Sequence, residues 1–417
     1  MTRFSVLLFC LLQTLCLAKQ ASAVTFSDFN GANGITSAEL LKKQGISIVR
    51  IDVPWSDIEK IKGRYNFEKY DKEIIAAKEA GFEVLPVLAY VPEWNKILKG
   101  KIGSPPLDIS SWNAFVAATV KRYRANPFNI TYFQVWNEPT SKAKFWLGNN
   151  VDFVNNIYIP AAKIIKKNKG KVVFGGWPLS NSISEFDYVL DHLGAIKYTD
   201  IIDFHYRDYK SYIKLYDKYI QTNMAEGIWQ SELGYSSKPQ NLLSSYLKII
   251  SWALSHNWKT SDTYKVFWYP AWASRDKKQY GLATTLRDRT NVLTENGNEL
   301  VLLNMLYGNG NLANQEVKSN MKSSLDAADY FFGVKIDEKQ VIIAVLLGDV
   351  NKYNQLHYSL VTRKEPRNVT LISAKGEQYK LNYLYEKGIT HLFIDKNSVV
   401  NISSGRINIF FIKVELF

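Results

Sequence analysis

The stretch that decides the fold is Thr131-Tyr132-Phe133-Gln134-Val135-Trp136-Asn137-Glu138-Pro139. Its first six residues are mostly aromatic and β-branched, which is typical of a buried β-strand, and an Asn-Glu-Pro turn follows directly. A Glu at the end of an apolar strand is costly unless it is exposed at a cleft or paired. A second strand with this ending occurs in Ile228-Trp229-Gln230-Ser231-Glu232. We therefore expect the fold to bring two strand ends, each with a carboxylate, to an accessible place.

Short apolar runs of this kind alternate with amphipathic helical segments from about residue 25 to residue 308. Eight β/α units in this length match the size and rhythm of a (β/α)8 TIM barrel, so the predicted fold class is α/β. A doubly wound sheet is the alternative, but no Gly-rich phosphate loop follows the first strand. The predicted strands lie near 24–29 and at 47–53, 83–90, 131–136, 172–176, 201–206, 228–232 and 266–269.

Helices are predicted between these strands from capping residues and from glycines that end a helical pattern. The first begins at the capping-box sequence Thr36-Ser37-Ala38-Glu39 and ends at Gly45. Further helices are predicted at 67–80, where Gly81 follows, and at 244–256 and 299–306.

The pattern changes after residue 312, where helical periodicity fades and short strand-like runs follow one another. Turns rich in Gly, Asn, Asp and Lys separate these runs, which is typical of a small all-β sandwich. The predicted domains are a catalytic barrel at 24–312 and a β-sandwich at 313–417, packed together because no low-complexity linker separates them. The predicted sandwich strands are 330–336, 341–347, 357–361, 369–373, 379–384, 391–394 and 407–414.

Residues 1–23 have the pattern of a secretory signal peptide. Arg3 precedes an apolar run at 4–17, and Ala21-Ser22-Ala23 provides a small-residue cleavage site before Val24. An uncleaved anchor is the alternative, but the run is shorter than the roughly 20 residues that span a membrane. A lipoprotein site at Cys16 is less favoured because bulky Leu15 precedes it. We expect an exported protein, secreted or periplasmic, with no transmembrane anchor after cleavage.

Both cysteines of the chain, Cys10 and Cys16, lie within this leader. The expected mature chain therefore excludes disulfides and thiolate-bound metals. The five His residues are scattered along the sequence, so no His cluster for a metal-dependent hydrolase is present, and no metal or cofactor is predicted. The net charge is +13, but basic and acidic residues are interleaved without a nucleic-acid motif. A solvated basic surface is the preferred interpretation, and an anionic polysaccharide or cell-surface partner is the alternative.

The two carboxylates carry a resemblance to a known group of enzymes. Glu138 ends the predicted fourth strand and Glu232 the seventh, and barrel enzymes hold their chemistry at the C-terminal ends of strands. The chain resembles clan A of the glycoside hydrolases, in particular its family 39 and similar polysaccharide-acting members, over residues 25–308. In that clan an Asn-Glu pair ends strand four and a second Glu ends strand seven. Trp136-Asn137-Glu138-Pro139 matches the first motif, and Gln230-Ser231-Glu232 matches the second in context.

The resemblance implies a retaining β-glycoside hydrolase that acts on an oligo- or polysaccharide. Retaining hydrolysis uses two carboxyl groups about 5–5.5 Å apart. Glu232 would be the nucleophile and Glu138 the general acid/base, with its pKa raised by the charge on Glu232. Asn137 would hydrogen-bond the 2-hydroxyl of the sugar.

Three further residues are predicted at the site from their positions at strand ends. Arg50, at the end of the second strand, matches a clan Arg that holds the nucleophile ionised, and a structural pair with Asp52 is the alternative. His205 and Tyr206 end the sixth strand, where clan members carry a substrate-contacting His and a Tyr that hydrogen-bonds the nucleophile. Adjacent residues of a strand face opposite ways, so only one of these two is expected in the site unless the strand bends.

Aromatic residues make up 14% of the chain and include 11 Trp, and flat aromatic faces suit the apolar faces of sugar rings. Trp268 is the preferred sugar platform, since an aromatic residue ends strand eight in many clan members. The segment 91–108, which contains Pro and Gly, is expected to overhang the cleft and to influence the choice of substrate. Other candidate sugar contacts, for which a packing role is the alternative, are Trp55, Tyr90, Trp94, Tyr269 and Trp272.

Two other functions remain compatible with the sequence. A transglycosylase or an enzyme of exopolysaccharide production would share the covalent intermediate and differ in whether water or a sugar accepts the glycosyl group. A non-catalytic carbohydrate-binding protein on the same fold is disfavoured by the presence of both Glu138 and Glu232. The identity of the sugar, endo or exo action and the oligomeric state are left open by the sequence.

Overall fold

The computed structural model describes residues 24–35, 37–140, 144–178, 183–234, 241–256, 258, 260–277, 280–308, 310–402 and 408–417. The predicted leader at 1–23 lies outside these residues. Val24 is buried, and its carbonyl oxygen accepts a hydrogen bond from the backbone N–H of Leu312 at 2.8 Å. The barrel thus begins and ends at neighbouring points of the fold.

Eight parallel strands close into a barrel, which confirms the predicted fold class. Each strand pairs with its sequence neighbours, β1 also pairs with β8, and the pairing of Val173 with Ile201 joins β5 to β6. The short strand Trp177–Pro178 adds to β6 beside this junction. The barrel strands are β1 Asn30–Asn33, β2 Ile48–Pro54, β3 Glu83–Ala89, β4 Tyr132–Val135, β5 Lys171–Val173, β6 Ile201–His205, β7 Gly227–Leu233 and β8 Tyr264–Trp268.

The prediction for the first strand, near 24–29, is wrong. Phe26–Phe29 is a helical turn because Thr25 and Asp28 form a reciprocal capping box, which fixes the chain in a helical start. The strand follows at Asn30–Asn33, a polar sequence that is nevertheless buried. A Cβ on Gly31 would lie 2.6 Å from a ring carbon of Phe267, so β1 approaches β8 too closely for a side chain there.

The helices surround the barrel, and the predicted ones are found within a few residues of their expected ends. Ser37 caps the helix Ala38–Lys43 by accepting a hydrogen bond from Leu40 N, while Thr36 of the predicted capping box lies outside the described residues. The remaining helices are Trp55–Ile58, Glu68–Glu79, Ile109–Arg124, Asn150–Asp152 continued by Phe153–Tyr158 and Ile159–Lys167, Ile183–Asp187 with Tyr188–His192, Tyr209–Leu215 with Tyr216–Ile220, Asn241–Ser255 and Glu295–Tyr307.

Shorter elements complete this part of the chain. Single 3₁₀ turns occur at Glu93–Asn95, Ala195–Tyr198 and Arg275–Lys277. Between β8 and the last barrel helix, a small sheet contains Trp272–Ala273, Ala283–Thr285 and Asn291–Leu293. In the part of the chain that the structure describes, no helix has both the length and the apolar character needed to cross a bilayer.

The interior of the barrel is filled at its N-terminal end by a separate apolar cluster. Six buried side chains from six different strands meet there, with Tyr132 packed against them. Interior layers of this kind are typical of a packed barrel rather than a pore, so the accessible space lies at the opposite, C-terminal end of the strands. The cluster consists of Ile48, Leu85, Val173, Ile201, Trp229 and Phe267.

The chain continues into two antiparallel sheets, in agreement with the predicted all-β region. One sheet has the order Leu312–Gln315, Tyr330–Ile336, Gln340–Leu347, Asn408–Glu415, Asn368–Ser373 and Gln378–Lys380. The other has the order Lys318–Ser319, Gln355–Val361, Ile389–Asp395 and Tyr383–Glu386. The 3₁₀ turn Val350–Lys352 and the helix Lys396–Ile402 lie between strands and were not predicted.

One predicted strand of this region, 379–384, is wrong as a continuous element. Its two halves belong to different sheets, Gln378–Lys380 to the first and Tyr383–Glu386 to the second. Leu381 is buried between them, so the apolar residue that made the run look continuous marks the crossing from one sheet to the other.

The first sheet has two buried faces. Ile343 and Val345 point into the sandwich, whereas Ile342 and Leu346 belong to the apolar core that includes the barrel helices. Alternate residues of a strand face opposite ways, so this sheet lies between the barrel and the second sheet. The two predicted domains therefore share a continuous apolar contact.

Candidate active site

A cleft of about 740 Å³ opens at the C-terminal end of the barrel strands. Its floor contains Arg50, Asn137, Glu138, Tyr206 and Glu232, all predicted from the sequence. Asn137, Glu138, Tyr206 and Glu232 lie at or just after the C-terminal ends of their strands, so the parallel strands bring them together. Arg50 lies inside β2 and not at its end as predicted, and its long side chain reaches Glu232 and Asn137. Its other lining residues include Asn33, Asp52, Asp57, Lys69, Tyr70, Glu73, Tyr90, Ile102, Lys144, Phe145 and Tyr269.

The two carboxylates face each other across this cleft. A carboxylate oxygen of Glu138 lies within 4.8 Å of one of Glu232. The Glu138 side chain is 15% exposed and that of Glu232 is 9% exposed, so both are reachable only through the cleft. They nevertheless differ strongly in their hydrogen-bond partners.

Arg50 organises the base of the site through four hydrogen bonds. Its Nη1 donates to Glu232 Oε1 at 2.9 Å and to Asn33 Oδ1 at 2.7 Å. Its Nε donates to Gln134 Oε1 at 2.8 Å, and its Nη2 donates to Asn137 Oδ1 at 2.6 Å. Because every acceptor is a buried side chain, the guanidinium is held in one orientation.

Asp52, the alternative partner of Arg50, lines the cleft and makes no ion pair with it within 4.0 Å. Burial and the charge of Glu232 raise the pKa of Asp52, although the charge of Arg50 opposes this. Arg50 therefore pairs with Glu232 and not with its strand neighbour.

Glu232 is surrounded by groups that favour its ionised form. Arg50 donates to one oxygen, and the Tyr206 hydroxyl donates a short hydrogen bond to the other. Burial alone would raise the pKa of Glu232, but the charges of His205 and Arg50 and the hydrogen bond from Tyr206 outweigh it and lower that pKa below its usual value. This carboxylate is therefore held ionised.

His205 and Tyr206 both reach the carboxylates, although adjacent residues of a regular strand would not. The pairing of β6 with β7 shifts register between Phe204 and His205, and Tyr206 has φ 54°. This irregular ending turns the Tyr206 hydroxyl to Glu232, while His205 Nδ1 lies 3.0 Å from Glu138 Oε1. The bend lets both side chains contact the carboxylates, but only Tyr206 lines the cleft. His205 is fully buried, so its predicted contact with a substrate is corrected to a contact with Glu138.

Four residues beside the cleft have a strained backbone conformation. Tyr90, Trp136, Glu138 and Tyr206 have φ between 46° and 70°, and each lies at the C-terminal end of a barrel strand. Positive φ in a non-glycine residue costs on the order of 1–3 kcal/mol, so this conformation is kept only where the surrounding structure imposes it. Such residues cluster at functional sites, so the backbone marks the same end of the barrel as the side chains do.

A buried carboxyl that the sequence analysis missed lies behind His205. Asp203 accepts hydrogen bonds from Ser231 N at 2.9 Å and from Ser231 Oγ at 2.6 Å, and Ser231 Oγ lies 3.0 Å from His205 Nε2. Burial raises the pKa of Asp203 to about 6, against the charge of His205 and the hydrogen bonds from Ser231. Period-two spacing on β6 places Asp203 on the same face as His205 and could have identified it.

Several aromatic predictions are corrected by burial. Trp55 and Trp268 are fully buried and do not line the cleft, so neither offers a face to a sugar. The Trp268 indole donates to Tyr280 O, and Trp55 packs in the core against Trp112 and Phe115. Apolar strand ends accommodate such large rings in the core.

Trp94 and Trp272 also lie outside the lining of the cleft. The Trp94 indole donates to Glu59 O, and its ring meets Trp55 edge-on. Trp272 is exposed, and its indole donates to Thr285 Oγ1 at 3.0 Å.

Five aromatic residues do line the cleft, and they are Tyr70, Tyr90, Phe145, Tyr206 and Tyr269. Phe145 was not predicted, and its ring centroid lies 5.8 Å from that of Tyr90. Of the segment 91–108, which was expected to overhang the cleft, Ile102 is the residue that lines it.

Glu138, His205 and Glu232 are the group of side chains, among the described residues, whose atoms are close enough to share a metal ion. Their geometry favours proton transfer instead. Arg50 Nη1 lies 2.9 Å from Glu232, where its positive charge opposes a bound cation, and His205 is hydrogen-bonded to Glu138.

Comparison with solved structures shows how widely this fold is shared. A family 30 endoxylanase from Clostridium papyrosolvens aligns over 95% of this chain and 98% of its own, with a TM-score of 0.63 and 14% identity. A family 39 glycoside hydrolase from Bacteroides cellulosilyticus aligns over 94% of this chain and 82% of its own, with a TM-score of 0.62 and 14% identity. A glucosidase from Croceicoccus marinus aligns over 94% of this chain and 97% of its own, with a TM-score of 0.58 and 13% identity.

Sequence comparison is more limited. No family model matches the chain. A β-xylosidase from Caldicellulosiruptor saccharolyticus is 29% identical over 123 residues, which represent 27% of this chain and 25% of that enzyme. The matched stretch thus spans a quarter of that relative. The structural matches show a shared fold across nearly the whole chain, and they include families 30 and 39 of the glycoside hydrolases, in agreement with the resemblance to clan A.

Proposed function

We propose that the protein is a retaining β-glycoside hydrolase in which Glu232 is the nucleophile and Glu138 the general acid/base. The observation that carries this proposal is the pair of carboxylates facing each other in the cleft, with oxygens within 4.8 Å and with unlike partners. The fold shared with family 30 and family 39 enzymes supports the reaction class.

The spacing of the carboxylates favours retention over inversion. Retaining enzymes hold the two groups about 5–5.5 Å apart, whereas inverting enzymes need about 6.5–9.5 Å to admit a water molecule. The separation between Glu138 and Glu232 belongs to the shorter class. A direct attack by one carboxylate on the anomeric carbon fits this distance.

In the first step, ionised Glu232 attacks the anomeric carbon and forms a glycosyl–enzyme ester. The bond to the leaving oxygen breaks, and Glu138 gives that oxygen its proton. The lowered pKa of Glu232 supports the nucleophilic role, because the carboxylate must be ionised before it attacks.

In the second step, Glu138 accepts a proton from water while the water oxygen attacks the anomeric carbon and releases Glu232. The close contact of Glu138 with His205 Nδ1 gives this carboxyl a partner with which it can share a proton in both steps. Arg50 holds Asn137 through its amide oxygen, which fixes the amide at the cleft floor, where it would meet the sugar 2-hydroxyl.

We further propose that the substrate is a β-linked oligo- or polysaccharide. The open cleft is lined by Tyr90, Phe145 and Tyr269, whose rings suit sugar faces. Xylan-type substrates are the first to test, since the similar proteins include an endoxylanase and a β-xylosidase. Export is part of the same proposal and rests on the leader pattern at 1–23.

The test measures turnover of a panel of β-xylans, β-glucans, β-mannans and aryl β-glycosides by purified protein. Glu138→Gln and Glu232→Gln are each expected to reduce kcat by at least about 10³-fold on a natural glycan. With azide and an activated aryl glycoside, Glu138→Gln should yield the β-glycosyl azide and Glu232→Gln the α-azide.

Glu226→Gln is the matched control. Glu226 forms an exposed ion pair with Lys171 just before β7, at the opposite end of the barrel, so this variant should keep the activity of the wild type. Near-wild-type turnover by either cleft variant, in protein that is folded by circular dichroism, would refute the assignment.

A further inference from the structure

Four side chains form a continuous hydrogen-bonded row from the barrel interior to the cleft. Asp203 Oδ2 lies 2.6 Å from Ser231 Oγ, which lies 3.0 Å from His205 Nε2. His205 Nδ1 then lies 3.0 Å from Glu138 Oε1. Asp203, Ser231 and His205 are fully buried, so among them only Glu138 meets the cleft.

The direction of each hydrogen bond follows from counting protons. Asp203 accepts from Ser231 N through Oδ1, and its Oδ2 accepts the single hydroxyl proton of Ser231. The Ser231 oxygen can then only accept from the ring, so His205 Nε2 must carry a proton. One proton remains for the contact between His205 Nδ1 and Glu138 Oε1, where it can be held by either group.

We propose that Asp203 and Ser231 are positioning residues that act through His205 to keep a proton available to Glu138. The proposal rests on the function proposed above, since it gives the proton a destination, the leaving oxygen of the glycosidic bond. The proton that Glu138 gives to that oxygen in the first step is regained from water in the second, so the row returns to its starting state. No other reactant is needed.

The surroundings of the row are consistent with a fixed ring. A Cβ on Gly176 would lie 2.2 Å from His205 Nε2, so the backbone lies directly against the imidazole and leaves it no freedom to turn. Three charged groups act on the row: Arg50 near Asp203, Asp52 through its charge interaction with His205, and Glu232, whose Oε2 lies 3.8 Å from His205 Nδ1. Tyr206 donates to Glu232 and leaves the ring of His205 to Glu138.

The substitution Asp203→Asn would reverse the donor and acceptor in each hydrogen bond between residue 203, Ser231 Oγ and His205 Nε2. The backbone N–H of Ser231 still requires an acceptor, so the amide oxygen must take the place of Oδ1 and the amide nitrogen must face Ser231 Oγ. That nitrogen donates to Ser231, whose hydroxyl proton must then turn to His205 Nε2. The ring proton moves to Nδ1, where it donates to Glu138 and favours the carboxylate over the acid.

The direct test is ¹⁵N NMR of the imidazoles at pH 7.5 in full-length protein. The chain has five His, and a His205→Gln spectrum assigns the signal of His205. We expect Nε2 protonated in the wild type and unprotonated in Asp203→Asn. Ser231→Thr keeps the hydroxyl and should keep His205 Nε2 protonated. Ser231→Ala removes the acceptor of that proton, so Nε2 should no longer be held protonated. Protonated Nε2 in both the wild type and Asp203→Asn would overturn the proposal, even if the protein shows no hydrolase activity.

A kinetic measurement tests the same row through turnover. For a substrate with a poor leaving group, Asp203→Asn should lower kcat/KM about tenfold or more and move the alkaline limb of its pH profile to lower pH. For a 2,4-dinitrophenyl glycoside, whose leaving group needs no proton, the first step should change less than about threefold. Equal losses on both substrates would indicate a merely structural role and would refute the proposal.

Asp200→Asn is the matched control for this variant. Asp200 lies just before β6 and pairs with Lys166 outside the row, so the same chemical change there should leave the His205 signal and both kinetic constants unchanged. If Asp203→Asn fails to fold, Ser231→Ala tests the proposal instead, because it should abolish the ¹⁵N signal of a protonated His205 Nε2.

Discussion

Arg50 Nη1 donates to Glu232 Oε1 at 2.9 Å, and both side chains are buried at the base of the cleft. This contact joins strand two to strand seven across the barrel interior. The same guanidinium also holds Asn33, Gln134 and Asn137, so side chains from β1, β4 and β7 depend on one cation from β2. Four hydrogen bonds from one buried guanidinium therefore hold the base of the site in a fixed arrangement.

Replacing that cation should damage both the fold and the reaction. Arg50→Met leaves Glu232 buried without its partner, which costs about 3–5 kcal/mol in the free energy of unfolding. It should also lower kcat/KM by at least about 10²-fold, because Glu232 is then less readily ionised. Urea unfolding and steady-state kinetics check these values. Arg122→Met, which removes a partly exposed pair with Asp71, should cost only about 0.2–1 kcal/mol and leave kcat/KM unchanged.

The pH profile of activity should report the hydrogen bond from Tyr206 to Glu232. This bond lowers the pKa of Glu232, so Tyr206→Phe should raise that pKa and move the acid limb of kcat/KM to higher pH. The alkaline limb should move less, since Tyr206 makes no hydrogen bond to Glu138. An acid limb that stays in place would show that Tyr206 does not influence the nucleophile.

Gly176 offers a test of the room around His205. Its φ is 60° and an added Cβ would lie 2.2 Å from His205 Nε2, so Gly176→Ala should displace the ring and destabilise the fold by about 1–3 kcal/mol. Activity should fall at least about tenfold, because His205 then loses its alignment with Glu138. Gly194→Ala is the control, because Gly194 also has a positive φ, 74°, but no atom lies within 4 Å of the added Cβ. It measures the cost in stability of an alanine at positive φ alone and should leave activity unchanged.

The stability of the protein should depend on pH through Asp203. Its folded pKa of about 6 is raised above the usual value of 3.8, so the fold prefers the protonated acid. This contribution is present at low pH and is lost as pH rises from about 4 to about 6, by about 3 kcal/mol in total. Asp203→Asn does not titrate and so does not show this loss. The free energy of unfolding of the variant, relative to that of the wild type, should therefore increase from pH 4 to pH 7.

Urea unfolding of Asp203→Asn and of the wild type at pH 4 and at pH 7 measures that difference. Asp200→Asn, just before the strand that carries Asp203, should not show the same gain. A relative loss for Asp203→Asn as pH rises would contradict the raised pKa.

The sequence was sufficient for the barrel and for the two carboxylates because both depend on local patterns. Glu138 and Glu232 end apolar strands, and parallel strands bring their C-terminal ends together whatever the details of packing. Arg50 was placed at the site through the resemblance, although it lies inside β2 and not at its end. Asp203 was missed although period-two spacing places it on the same face of β6 as His205, because the spacing alone does not tell a hydrogen-bonded carboxyl from an ion-paired one.

The aromatic predictions failed where burial decides the role. Trp268 ends β8, and its position alone suggested a sugar platform, but its ring lies in the core with its indole donating to Tyr280 O. Phe145 follows β4 by ten residues and reaches the cleft through a loop, so no strand periodicity points to it. The first strand was misplaced because the capping box of Thr25 and Asp28 overrode an apolar run.

The most direct test of the central claim traps the covalent intermediate. The wild type is incubated with a panel of 2,4-dinitrophenyl 2-deoxy-2-fluoro-β-glycosides, including the xyloside and the glucoside, and the modified peptide is identified by mass spectrometry. We predict one glycosyl group per chain, attached to Glu232, and loss of activity at the rate of labelling. A label on any other residue, or release of the α-anomer as the first product from a β-glycoside, would contradict the account.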